Sequence, residues 1–166
     1  SGASVSANIT LNGNSIDGQN NGVAGIRLSN DNQVGVDVDI NSGKITNLTT
    51  GIDVSDNDVG DFLNITDVSM TNVDEGGTDI GVNLREVGGT IQIDNLSVED
   101  SSDATGVYSS ADDSNIDILN SYINDTDIGV DAQDAKADFN VSNTEIDNSG
   151  TDAVQISDTD TDSSAT

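Results

Sequence analysis

The chain has no cysteine, histidine, proline or tryptophan. Without thiols or imidazoles it offers no disulfide, no Cys/His zinc site, no thiol nucleophile and no histidine base. Its only aromatics are Phe62, Phe139, Tyr108 and Tyr122. Its only basic residues are Arg27, Lys44, Arg85 and Lys136, set against 31 Asp and Glu for a formal charge of −27. With that charge and no basic cluster, nucleic acid is excluded as a partner. No apolar run approaches the ~18 residues of a membrane span, which excludes membrane insertion by a helix. Nothing resembles a signal peptide, and a chain that begins at Ser1 reads as processed or excised.

The residues present are of two kinds. The apolar ones are mostly Ile and Val; the polar ones are Asp, Asn, Ser, Thr and Gly, and 27 of the 31 acids are Asp. β-Branched residues suit strands, whereas the polar set suits turns and disfavours helix interiors. Low hydrophobicity with high charge is also the signature of disorder, so the spacing of the apolar residues decides the matter.

That spacing repeats. Each copy holds an apolar pair two apart, a third apolar residue five further on, then a small residue followed by a second apolar pair. The copies start Ile9, Leu11, Ile16; Val38, Ile40, Ile45; Leu63, Ile65, Met70; Ile91, Ile93, Val98; Ile116, Ile118, Ile123; and Phe139, Val141, Ile146. Each continues to Gly25-Ile26-x-Leu28, Gly51-Ile52-x-Val54, Gly81-Val82-x-Leu84, Gly106-Val107-x-Ser109, Gly129-Val130-x-Ala132 and Ala153-Val154-x-Ile156. Leaving the small residue aside, 29 of the 30 positions are apolar, Ser109 being the exception. A repeat of 23 to 29 residues is a stacked supersecondary unit that buries its apolar face only against its neighbours.

Pairs two apart have the strand period. Three short strands per repeat, joined by turns, make one rung of a single-stranded parallel β-helix, and the sequence holds about six such rungs over residues 1–157. Helical solenoids are excluded because no repeat carries an i, i+3, i+4, i+7 stripe. The lack of proline agrees, since interior strands must donate their N–H groups to the next rung. Residues 158–166 read as an acidic Ser/Thr/Asp tail or linker. The turn between the second and third apolar positions carries Gly13, Ser42, Asp67, Asn95, Asn120 and Asn143; the three successive asparagines are candidates for an internal amide ladder, and the small residue before the second pair for a corner of unusual backbone angles or close packing.

Segments such as Asn115-Ile-Asp-Ile-Leu-Asn-Ser-Tyr-Ile-Asn124, followed by Gly129-Val130, resemble the right-handed parallel β-helix repeats of the pectate-lyase-like superfamily over roughly residues 7 to 157. The resemblance implies a right-handed coil and relatives that include polysaccharide lyases and hydrolases, tailspikes, adhesins and long surface proteins. Fold alone does not choose among them. Lyases of this type imply an acid cluster holding Ca²⁺ with a basic proton acceptor; hydrolases imply close carboxylates. The outward rank Arg27, Asp53, Asn83, Tyr108, Asp131, Gln155 and the rank Thr10, Asp39, Asn64, Gln92, Asp117, Asn140 place like charges about 14 Å apart at the usual strand spacing. They read as spreading charge rather than focusing it, and the chain is read as non-enzymatic.

The acids gather in loops after the third apolar position. Asp74, Glu75, Asp79, Glu99, Asp100, Asp103, Asp125 and Asp127 form one stripe, and Asp56, Asp58, Asp61, Glu86, Asp112, Asp113 and Asp134 a second group. The plain reading is a solvated charged surface. The sharper one makes the first stripe a Ca²⁺ site, although no calcium-loop motif is present and the fold requires no cofactor. Six Asn-x-Ser/Thr sequons, Asn8, Asn47, Asn64, Asn95, Asn124 and Asn140, are candidate glycosylation sites, in a number close to chance for this composition.

These features point to a structural segment of an extracellular or cell-surface protein: a stalk, fibre or adhesin adapted to high salt. It is expected to stack end to end on itself or on neighbouring domains of a longer chain. The alternative is a glycan- or receptor-binding β-helix such as a viral tail-fibre domain, with surface glycans as partners; a lyase or hydrolase fragment stands third.

Overall fold

The computed structural model describes residues 7–29, 36–57, 62–73, 79–110, 114–133 and 139–157. Among them there is no helix. The strands are β1 (Ala7–Asn12), β2 (Ser15–Ser29), β3 (Val36–Asn57), β4 (Phe62–Thr71) and β5 (Asp79–Val87). They continue as β6 (Gly89–Asp94), β7 (Ser97–Glu99), β8 (Ser101–Ser110), β9 (Ser114–Leu119) and β10 (Tyr122–Asn124). The last are β11 (Thr126–Gln133), β12 (Phe139–Ser142), β13 (Glu145–Asp147) and β14 (Asp152–Ser157). Every pairing is parallel and joins equivalent segments of successive repeats, so the chain is an all-β parallel solenoid.

The register follows the repeat. Ile9, Val38, Leu63, Ile91, Ile116 and Phe139 stand one above the other, as do Leu11, Ile40, Ile65, Ile93, Ile118 and Val141. A second face stacks Ile16, Ile45, Met70, Val98, Ile123 and Ile146. The third stacks Ile26, Ile52, Val82, Val107, Val130 and Val154, with Leu28, Val54, Leu84, Ser109, Ala132 and Ile156 beside them. These ranks are the core: every inner member is at most 2% exposed. Each such aliphatic contributes roughly 2 kcal/mol by leaving water.

Two corners separate the three faces. At the first, Gly13, Ser42, Asp67, Asn95, Asn120 and Asn143 all have φ between 48° and 62°. Asn and Asp tolerate this left-handed region better than other side-chain-bearing residues. The side chains of Asn95, Asn120 and Asn143 are exposed, so the amide ladder runs on the outside rather than along the core axis. Asn95 Nδ2 donates to Asp67 Oδ1 at 2.6 Å and Asn143 Nδ2 to Asn120 Oδ1 at 3.2 Å, whereas Asn120 Nδ2 turns to Asp94 Oδ1 at 2.8 Å. An inward amide would need partners on every atom in an aliphatic core; an αL corner instead aims the side chain at water.

The second corner, which the apolar spacing does not reveal, carries Gln19, Asn47, Asn72, Asp100, Asp125 and Asn148 at φ between 49° and 59°. It too is laced from coil to coil: Asn47 Nδ2 donates to Asp17 Oδ1 at 2.8 Å and Asn72 Nδ2 to Asn47 Oδ1 at 3.0 Å. The small residues Gly25, Gly51, Gly81, Gly106 and Gly129 are a matter of space, not of backbone angle, since none has positive φ. A Cβ on Gly51 would lie 2.5 Å from Met70 Sδ and 2.6 Å from the Gly81 carbonyl oxygen.

Candidate functional site

The glycine stack shapes the outer surface of the third face. A Cβ on Gly51 would point at Met70, and the next residue, Ile52, also faces the core. Two consecutive inward residues bend each coil there, and the outward rows on either side of the bend converge. One row is Thr50, Ile80 and Thr105; the other is Asp53, Asn83, Tyr108 and Asp131, with Arg27 and Arg85 at one end. Between them lies a cleft of about 480 Å³ lined by these residues.

Its polar groups are unusual for an outward rank. Asp53, Asn83 and Asp131 are only 4%, 7% and 6% exposed. Asp53 is bracketed by both arginines of the chain: Arg27 Nε donates to Oδ2 at 2.9 Å and Arg85 Nη2 to Oδ1 at 3.1 Å. Asn83 Nδ2 also donates to Asp53 Oδ1, at 2.9 Å. Both arginine side chains remain about half exposed. Two guanidinium ions on one carboxylate leave a formal charge of +1 at this end.

At the other end Asp131 accepts from Gln133 Nε2 at 3.0 Å through Oδ2. Burial pushes its pKa above the ordinary carboxylate value, opposed in part by that hydrogen bond. Asp131 Oδ1 and Asn83 Oδ1 are buried with no hydrogen-bond partner. Tyr108 lies in the coil between Asn83 and Asp131, and its hydroxyl donates to Gln133 Oε1 at 3.5 Å. Sequence spacing placed Arg27, Asp53 and Asp131 in one rank but not Arg85, which lies two residues past Asn83 and reaches back one coil to Asp53. Reading the register one residue beyond the apolar pair would have found it.

Asp53 and Asp131 are three coils apart, about 14 Å at ~4.8 Å per strand. That exceeds the roughly 5 to 9.5 Å separating the carboxylates of glycoside hydrolases. In the rank Asp39, Asn64, Gln92, Asp117, Asn140, the amides answer the acids. Asn64 Nδ2 donates to Asp39 Oδ1 at 3.3 Å, and Asn140 Nδ2 to Asp117 Oδ1 at 3.0 Å.

Of the candidate Ca²⁺ residues, Asp74 and Glu75 lie outside the described residues. Asp79 is buried, and Glu99 accepts from Ser97 Oγ at 2.6 Å. Asp100 and Asp125 occupy the exposed second corner, Asp103 is exposed, and Asp127 Oδ1 accepts from Thr151 Oγ1 at 2.6 Å. Among the described residues no three Asp or Glu converge as a metal site. The acids of this edge are felt by Tyr122, whose pKa is raised first by burial and then by Glu145, Asp147 and Glu99. In the second acidic group, Glu86 is exposed; the side chains of Asp56, Asp58, Asp61, Asp112, Asp113 and Asp134 lie outside the described residues, as does the tail 158–166.

Among the sequons, the Nδ2 atoms of Asn47, Asn64 and Asn140 already donate as described, and that of Asn95 donates to Asp67. Asn124 Oδ1 accepts from Asn148 Nδ2 at 3.1 Å, and the side chain of Asn8 lies outside the described residues. Comparison with family models, with curated proteins and with solved structures gives no match to this chain.

Proposed function

We propose that the chain is a structural segment of an extracellular or cell-surface β-solenoid, a stalk, fibre or adhesin module that stacks end to end in high salt. The observation that carries this reading is the opening of the core at both ends. Ile9 and Val154 are each 40% exposed, whereas their rank-mates Val38 and Val130 are 2% and 0% exposed. Leu11, Ile16, Ile26 and Leu28 at one end, and Val141, Ile146 and Ile156 at the other, are also only partly buried. Among the described residues β1 and β14 each pair on one side only, and such an edge above half-covered aliphatics is a template for further coils. The regular register is what supports kinship with the pectate-lyase-like repeats.

Sedimentation velocity at molar salt tests the stacking. The chain is expected to associate with rising concentration, and the double variant Ile9→Lys, Val154→Lys to remain monomeric. A wild-type chain that stays monomeric throughout would overturn the reading.

The cleft favours a second reading, a glycan- or receptor-binding module. Its support is that two residues lining the cleft, Asn83 and Asp131, each keep a buried side-chain oxygen, Oδ1, without a partner. A glycan array in the presence and absence of Ca²⁺ probes it.

A further inference from the structure

Among the described residues, the two ends of the cleft carry opposite charges that lack a full counter-charge. Arg27 and Arg85 share the carboxylate of Asp53, each through one nitrogen, and side chains about half exposed leave the other guanidinium N–H groups to suit a second carboxylate. Asp131 is the converse: a carboxylate 6% exposed, held only by the neutral amide of Gln133, with Oδ1 unpartnered. A buried charge without a counter-charge is unfavourable, and a ligand cation would supply what the fold leaves out. The ring of Tyr108 in the adjacent coil adds a face that attracts cations.

The spacing narrows the ligand. The acids at the two ends are three coils apart, about 14 Å, and the arginine side chains and hydrogen-bond distances occupy part of that span. A free amino acid is too short to bridge it. An extended chain advances roughly 3.3 to 3.6 Å per residue, so three residues place ammonium and carboxylate about 10 Å apart. The other orphan of the lining, Asn83 Oδ1, belongs to a coil between the two ends, and a turn of its buried side chain would offer it to a peptide N–H. Thr50, Ile80 and Thr105 form the wall that side chains would meet, and about 480 Å³ accommodates such a ligand. A neutral sugar would satisfy Asn83 with a hydroxyl yet leave Asp131 without its counter-charge.

We propose that this cleft binds a short peptide with free termini, about three residues long, its carboxylate on Arg27 and Arg85 and its ammonium on Asp131. The inference rests on the binding-module reading and gives that reading a ligand class.

Isothermal titration of the full chain, at low and at molar salt, tests it with trialanine, N-acetyl-trialanine, trialanine amide and maltotriose. Trialanine is expected to bind, and either acetylation or amidation to weaken binding about tenfold or more. In the Asp131→Asn variant acetylation should no longer matter, and in Arg85→Gln amidation should no longer matter. Thermal melts of both variants establish that they fold. If trialanine fails but maltotriose binds, the peptide proposal is overturned and the binding-module reading stands. If neither binds at either salt, both fall. Binding of trialanine that is indifferent to capping also overturns the proposal.

Discussion

Single residues in this solenoid are constrained by what lies one coil above or below them. Glycines illustrate the rule in both directions. A Cβ on Gly106 would lie 2.5 Å from the Gly129 carbonyl oxygen and 2.7 Å from Ile123 Cγ2, so backbone would have to move. Gly106→Ala is expected to lose about 2 to 3 kcal/mol in urea unfolding. At Gly43 the nearest atom would be the Asn14 carbonyl oxygen at 3.6 Å, and φ is not positive. Gly43→Ala should therefore be neutral or stabilising by about 0.5 kcal/mol, through the unfolded state. Ser109 is fully buried between Leu84 and Ala132, and its hydroxyl has no partner. Ser109→Ala should gain about 1 kcal/mol in the same measurement. Asp131 adds a pH dependence. Its folded pKa is raised, so its contribution is fully present below the ordinary carboxylate range and is lost as pH rises through the raised value. Asp131→Asn should flatten that part of the stability profile and match or exceed the wild type at neutral pH. A variant that was less stable there would show that the buried carboxylate is compensated.

Strands and corners differ in how plainly the sequence announces them. The three faces are legible because aliphatic residues recur in a fixed 2-then-5 register that the stack preserves residue for residue. The second corner is not, because Gln19, Asn47, Asp100 and Asp125 sit in a sequence already crowded with Asn and Asp. The inward residues after the corners are hidden for another reason: their chemistry changes along the stack. Leu48 and Val73 give way to Ser101 and Thr126, while Val68 and Leu96 give way to Ser121. The two serine hydroxyls serve the backbone of the neighbouring coil, Ser101 Oγ accepting from Val73 N at 3.0 Å and Ser121 Oγ from Leu96 N at 3.2 Å, whereas Thr126 Oγ1 is buried without a partner. The cleft was half legible. Its rank was readable, but the bend that buries Asp53 and Asp131 depends on two consecutive inward residues, which no period-two pattern contains. At the corners themselves, Asn120 holds φ 48° and bonds to Asp94. Asn120→Val should cost about 1 to 2 kcal/mol, the left-handed penalty for a bulky side chain. Asn120→Gly should lose less, having only the exposed side-chain hydrogen bonds with Asp94 and Asn143 to forfeit, and equal losses in the two variants would contradict this account of the corner.

The whole molecule sets a mostly aliphatic column against a formal charge of −27. Most of the described acids project from turns and outer faces, where many are tied to amides of the next coil; Asp53, Asp79 and Asp131 are the buried exceptions. Amide-to-acid bonds such as Asn64 to Asp39 and Asn140 to Asp117 separate like charges within a rank, but they do not reduce the total. A solenoid has little interior in which to compensate, since each coil touches only its neighbours. The repulsion must therefore be screened from outside, and at molar salt the Debye length falls to about 3 Å. The proposed end-to-end association would belong to the same balance, because two copies of one acidic chain can approach only when their fields are short-ranged. Thermal unfolding followed by circular dichroism, from low to molar salt at neutral pH, tests the claim that joins charge to fold. The account requires the melting temperature to climb steadily with salt while the β signal of the folded state is unchanged. A melting temperature that is flat or falls over that range would contradict it.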